Sequence, residues 1–148
     1  MKRTKEFFNF GKPFEQRVQF TEAIRAGNFV FVSGMSAIDD EGRVIAPGDP
    51  EAQGRAVFET LEVALELAGA KLSDVVMETE FVTDMALYKP IARIRREYFP
   101  DHYPTATLVE VKGLWKPGLV FEMNAIAVLG TGEAGARGGR QSQKRASK

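Results

Sequence analysis

Gly27-Asn28-Phe29-Val30-Phe31-Val32-Ser33-Gly34 is the stretch on which the fold turns. Its four consecutive apolar residues, aromatic and β-branched in alternation, read as a strand over residues 28–35. An unbroken apolar run predicts burial on both faces. Upstream, residues 18–26 read as another strand, and Ala26-Gly27-Asn28 supplies a tight turn between the two, so a hairpin is expected. Downstream, Ser33-Gly34 ends the strand, and Asp39-Asp40-Glu41-Gly42 carries turn residues.

A helix follows. Asp49-Pro50-Glu51 combines an N-capping Asp, a Pro at the first helical position and an acid at the positive end of the dipole. Val57, Leu61, Ala64, Leu65 and Ala68 then recur at helical spacing, and Gly69 closes the element. Residues 72–84 alternate as a strand, with Val75, Met77, Thr79 and Phe81 on one face and Val76, Glu78, Glu80 and Val82 on the other. A second helix is predicted over residues 87–99, with Pro90 tolerated in its first turn. Final strands are predicted over residues 105–111 and 119–129. The order ββαβαββ gives one sheet with two helices on one face, an α+β arrangement. The opposite face retains apolar side chains, for which Val109 with Val111 and Phe121 with Met123 are the candidates. Such a face needs a cover, which points to an oligomer.

Composition narrows the function classes. The chain has 148 residues, 44% of them hydrophobic, which suits one domain with a modest core. It has no cysteine, so disulfides, thiolate chemistry and Cys-ligated metals are excluded. The N-terminus lacks a secretory or membrane-spanning apolar stretch, and a cytoplasmic location is the expectation. Five cations and one anion fall in residues 130–148, which leaves the remainder mildly acidic. A nucleic-acid-binding face on the core is therefore not expected. The basic segment 130–148 has no bulky apolar residue and reads as a disordered tail. Residues 1–14 read as an N-terminal extension, and 15–129 as the domain.

Four segments in order resemble the Rid family, also called the YjgF family and long labelled L-PSP endoribonuclease. They are the opening stretch 27–34, Thr79-Glu80-Phe81-Val82-Thr83-Asp84-Met85, Pro104-Thr105-Ala106-Thr107-Leu108-Val109-Glu110-Val111 and Phe121-Glu122-Met123-Asn124-Ala125-Ile126-Ala127-Val128. The resemblance implies a chorismate mutase-like fold and a homotrimer with a cleft at each subunit interface. It also implies hydrolysis of enamines or imines to carbonyl compounds and ammonia, with no metal or organic cofactor and a small molecule as the partner.

Carried over position by position, the resemblance makes Glu122 the catalytic carboxylate and retains the Ser33-Gly34 turn. It also exposes losses. The family Arg that forks a substrate carboxylate is Ala106 here, and the hydroxyl or thiol position two residues on is Leu108. The family Tyr is Phe20, and the family Asn is Ala92. Loss of a bidentate charged contact costs about 2–5 kcal/mol of binding. The usual 2-iminoacid substrates are therefore disfavoured.

Other candidates follow from the residues themselves. Arg17 can supply the missing charge or be a solvated strand-start Arg. Arg93, Arg95 and Arg96 read as a solvated helix face. His102, the only histidine, reads as a surface-loop residue and cannot give His–His metal spacing. Trp115 can rim the cleft or pack across an interface. Ser33 lacks a His–Asp partnership, so its hydroxyl or the neighbouring N–H groups are expected to polarise a substrate oxygen or hold water. Three functions fit: a Rid-type hydrolase with an unusual substrate, a non-catalytic trimeric binding or regulatory protein, or a ribonuclease or translation inhibitor. The last requires a basic groove that the acidic core does not offer.

Overall fold

The computed structural model describes residues 4–132. They form β1 (Lys5–Phe8), α1 (Pro13–Val18), β2 (Ala23–Ala26), β3 (Phe29–Ser36), α2 (Pro50–Leu67), β4 (Val75–Val82), α3 (Tyr88–Tyr98), β5 (Thr105–Glu110) and β6 (Phe121–Val128). Single 3-10 turns at Leu72–Asp74 and Met85–Leu87 lead into β4 and α3. The strands make one mixed sheet in the order β1-β2-β3-β6-β4-β5. Only β4 and β5 are parallel neighbours, joined through α3. The result is the expected α+β architecture, extended at its front by β1 and α1.

Each element forms where local chemistry favours it. The Asp49 carboxylate accepts from Glu51 N and Ala52 N at 2.9 and 3.1 Å and so caps α2. Gly69, at φ +82°, turns the chain away after it. The β2–β3 hairpin closes through Gly27-Asn28, with Gly27 at φ +62°. Gly54 lets α3 approach α2 closely: a Cβ there would lie 3.1 Å from the Ile94 side chain.

The core lies between the sheet and the pair α2 and α3. Phe58 anchors it, stacked on Tyr98 with centroids 5.0 Å apart and packed against Phe99 and Phe121. Val30 and Val32 of β3 and alternate residues 121–127 of β6 complete it.

Several expectations need correction. The first predicted strand begins only at Ala23, because Pro13 starts α1 and Gln19 ends it in the left-handed region at φ 55°. Lys5–Phe8, read as part of an extension, pairs with β2 as an edge strand. Phe121 and Met123 do not lie on the open face; both are buried beneath the helices. That face instead presents Phe29, Phe31, Met77 and Val109, so the apolar run of β3 is buried on one side only within the chain. The basic tail lies outside the described residues from residue 133 onward. Its first residues are tied down, since Gly132 N donates to Asp74 Oδ1 at 2.9 Å.

Arg95 is also not on a solvated face. Its Nε donates to Glu78 Oε1 beneath α3, and it lies 4.0 Å from Glu80 Oε2. The Tyr88 hydroxyl donates to Glu80 Oε2 at 2.6 Å. Glu78 Oε2 and Glu80 Oε1 are buried without a partner among the described residues. Burial, reinforced by the Glu80 charge and opposed by Arg95, pushes the Glu78 carboxyl up from 4.5 to about 7. Burial likewise raises Glu80, against Tyr88 and Arg95.

Arg95→Met is expected to cost about 3–5 kcal/mol in urea unfolding at pH 7.5, because it leaves buried carboxylates uncompensated. The folded chain holds a proton on Glu78 more tightly than the unfolded chain does. The Glu78 contribution to stability is thus greatest below pH 4.5 and is lost as pH rises through about 7. The Arg95→Met deficit should therefore shrink at pH 5.5. An equal deficit at both pH values would contradict the assignment.

Candidate functional site

The site is built on an irregularity in β3. Val32 pairs with Ala125, but the register then slips, so that Met35 pairs with Met123 and Ser36 with Glu122. The slip falls at Ser33-Gly34 and acts as a β-bulge, re-aiming the side chains beyond it. Glu122, alternating with buried Phe121 and Met123, extends toward this bulge and lies across Gly34. A Cβ on Gly34 would sit 2.9 Å from Glu122 Cδ, so a side chain there would push the carboxylate out of this position.

A donor chain fixes the carboxylate. Trp115 Nε1 donates to Ser36 Oγ at 2.9 Å, and Ser36 Oγ donates to Glu122 Oε2 at 2.9 Å. The Ser36 hydroxyl thereby accepts from one side and donates to the other, which uses its single proton. Glu122 Oε1 lies against Gly34, and among the described residues no donor reaches it. That oxygen is available to water or a ligand.

Glu122 lies in a cleft of about 360 Å³ whose other walls include Phe14, Phe20, Ser36, Trp115 and Lys12. The N-terminal segment forms one wall, and a buried carboxylate shapes it. Glu15 is 3% exposed and accepts from Phe10 N at 2.8 Å and Lys12 N at 2.9 Å, which folds the chain into α1. Phe14 and Phe20 meet with ring centroids 5.8 Å apart. Glu22, also 3% exposed, lines the cleft. Burial, then its contact with Glu15, pushes the Glu22 carboxyl up to about 8, with Lys12 opposing.

The structure thus divides the residues singled out in the sequence. Glu122, Phe20 and Gly34 line the cleft, and Trp115 rims it. Ser33 does not: its hydroxyl donates to Thr21 O at 2.5 Å. Arg17 turns toward Glu41 O at 3.4 Å, and the cation in the cleft wall is Lys12, paired with Asp40 at 2.9 Å. Ala106 and Leu108 stand on edge strand β5, in register with Glu78 and Glu80 and apart from the cleft. Ala92 lines a separate depression with Arg95, Arg96, Tyr88 and Tyr103. His102 packs edge-on against Phe99 at 5.8 Å, with a buried Nε2 that has no partner among the described residues. The described residues contain no group of three or more His, Cys, Asp or Glu able to hold a metal ion. None of their helices is long and apolar enough to cross a membrane.

Ser36, Lys12 and Glu22 were not evident from the sequence. Ser36 lies two residues beyond Gly34, and only the bulge brings it opposite Glu122. The local signal for the N-terminal wall was Pro13 followed by Glu15, a helix start at the boundary between the expected extension 1–14 and the domain.

A family model described as endoribonuclease L-PSP matches residues 11–129. A RutC family protein of Pyrococcus abyssi is 40% identical over 108 residues, covering 73% of this chain and 84% of that protein. The 3-aminoacrylate deaminase RutC of Acinetobacter baylyi is 38% identical over 108 residues, covering 73% of this chain and 85% of that protein. Among solved structures, a YjgF/YER057c/UK114 family member from Mycobacterium tuberculosis aligns with a TM-score of 0.75 at 31% identity, over 85% of this chain and 100% of that one. RidA from a Psychrobacter species aligns with a TM-score of 0.69 at 29% identity, over 74% and 88% respectively. Sequence and fold agree, and the chain belongs to the Rid/YjgF family, whose model carries the endoribonuclease L-PSP description.

Proposed function

We propose that the protein hydrolyses the C–N bond of a small enamine or imine and releases ammonia, acting on a substrate other than the usual 2-iminoacids. The observation that carries this reading is the Glu122 carboxylate, held by Ser36 in an open cleft with Oε1 free. A cleft filled by Phe20 and its neighbours would instead have favoured a non-catalytic role. Glu122 can orient a water, take its proton as the oxygen attacks the C=N carbon, and return that proton to the departing nitrogen. Phe14 and Phe20 exclude bulk water from part of the cleft, which strengthens each polar contact inside it. The relative named for 3-aminoacrylate acts on an enamine, which is the same bond class. The position that would fork a substrate carboxylate is Ala106, so specificity for amino-acid-derived imines is not carried over.

The family site positions fall into two groups within one chain. Phe20, Gly34 and Glu122 share the cleft, while Ala92 and Ala106 belong to the helix-covered side near β5. We therefore read the working form as a homotrimer in which a neighbouring copy closes the cleft. The open sheet face supports this reading: Phe29 and Phe31 stack at 6.2 Å yet remain 49% and 46% exposed.

Enamines generated in situ and assayed for ammonia test the activity. Glu122→Gln is expected to lower kcat by about 10²–10⁴-fold with unchanged thermal stability. Ala106→Arg is expected to add turnover of 2-iminoacids. No ammonia from any substrate would favour the ligand-binding reading. Light scattering should give three times the 16.4 kDa chain mass, and Phe31→Asp should lower it. A wild-type monomer would overturn the assembly.

A further inference from the structure

Imine hydrolysis requires proton movement at both ends of the C=N bond. Glu122 accounts for the water proton and its return to the departing nitrogen, but not for the proton that activates the imine nitrogen before water attacks. The cleft holds a second carboxyl, Glu22, immediately before β2. It is 3% exposed, as is Glu15, whose side chain lies within hydrogen-bonding reach of it. Both Glu15 oxygens already accept backbone N–H groups, from Phe10 and Lys12. A proton shared by the two carboxyls therefore resides on Glu22, which presents an O–H to Glu15. We propose that Glu22 is the general acid of the cleft, held in its acid form by Glu15 and working opposite Glu122. This inference rests on the hydrolytic reading above.

The steps balance. Glu22 gives its proton to the imine nitrogen. Water then attacks the carbon, the C–O bond forms, and Glu122 takes the proton released. Glu122 next protonates the carbinolamine nitrogen, the C–N bond breaks and ammonia leaves. The hydroxyl proton of the collapsing intermediate returns to Glu22. Imine and water become carbonyl compound and ammonia, and both carboxyls end as they began.

The surroundings suit this division. Glu15 faces Glu22 from α1, and Lys12 faces it from the preceding loop, with its charge shared by Asp40 at 2.9 Å. The Glu22 main chain is anchored to β3, with Ser33 N donating to its carbonyl O at 2.9 Å. Ser36 of β3, Thr60 of α2, Trp115 and Glu122 of β6 are the other polar groups that line the cleft. Glu122, by contrast, accepts from the Ser36 hydroxyl, which itself accepts from Trp115 Nε1. Two carboxyls in one cleft are thus set to opposite tasks by their neighbours. The displacement of Glu22 to about 8 is consistent with an acid form at neutral pH.

Glu22→Gln tests the proposal, because its amide still donates to Glu15 but carries no transferable proton. Wild-type kcat should fall on the alkaline side with a midpoint near 8. Glu22→Gln should lose about 10²-fold in kcat, with KM little changed and that alkaline limb abolished. Difference infrared spectra between pH 7 and pH 9.5 should show a larger loss of protonated carboxyl band in the wild type than in Glu22→Gln, the Glu78 carboxyl contributing equally to both. Wild-type kcat and an unchanged pH profile in Glu22→Gln, with Glu122→Gln inactive, would overturn the role of Glu22 and leave the hydrolytic reading standing. A band loss of equal size in the two proteins would also overturn it. A wild type inactive on every enamine would remove both readings together.

Discussion

The close approach of Glu122 to the backbone of Gly34 is the constraint on which the site depends. A regular β3 would keep the pairing set by Val32 and Ala125 and would carry Ser36 past Glu122. The slip at Ser33-Gly34 brings the two into register. The missing Cβ then lets the carboxylate lie over the strand. Ser36 and Trp115 become a donor chain only because of that placement. The hairpin, the α2 cap and the Phe58 core hold the two strands that must not move.

A second layer of the design is electrostatic. Carboxyls buried at two places meet different partners. Under α3, Glu78 and Glu80 are held by Arg95 and Tyr88, an arrangement that joins helix to sheet. In the N-terminal wall, Glu15 is satisfied by backbone donors and Glu22 is left to hold a proton. The first is a packing solution with a pH-dependent cost. The second faces a cavity, which is why similar burial leads to a different role.

The sheet, both long helices and the family were legible because each rests on local chemistry. Asp49-Pro50-Glu51 marks a helix start wherever it occurs, and the 27–34 strand carries its own turn. Glu122 was legible through the family motif. The partners of Glu122 were not, because a bulge in β3 leaves no mark in apolar alternation and Ser36 is otherwise an ordinary strand residue. Arg95 was misread because its neighbours Arg93 and Arg96 made a charged run look uniformly solvated, while its partners Glu78 and Glu80 lie on a different element. The role of Lys12 in place of Arg17 depended on α1, whose short length gives almost no periodic signal.

The most direct measurement of the central claim is the rate of ammonia release by Gly34→Ala, with Glu122 left intact. The added methyl group occupies the space of the Glu122 carboxylate, and a displacement of about 1 Å in a catalytic group can cost on the order of 10²-fold. The account predicts a folded protein with a loss of that size. A rate equal to wild type would contradict it.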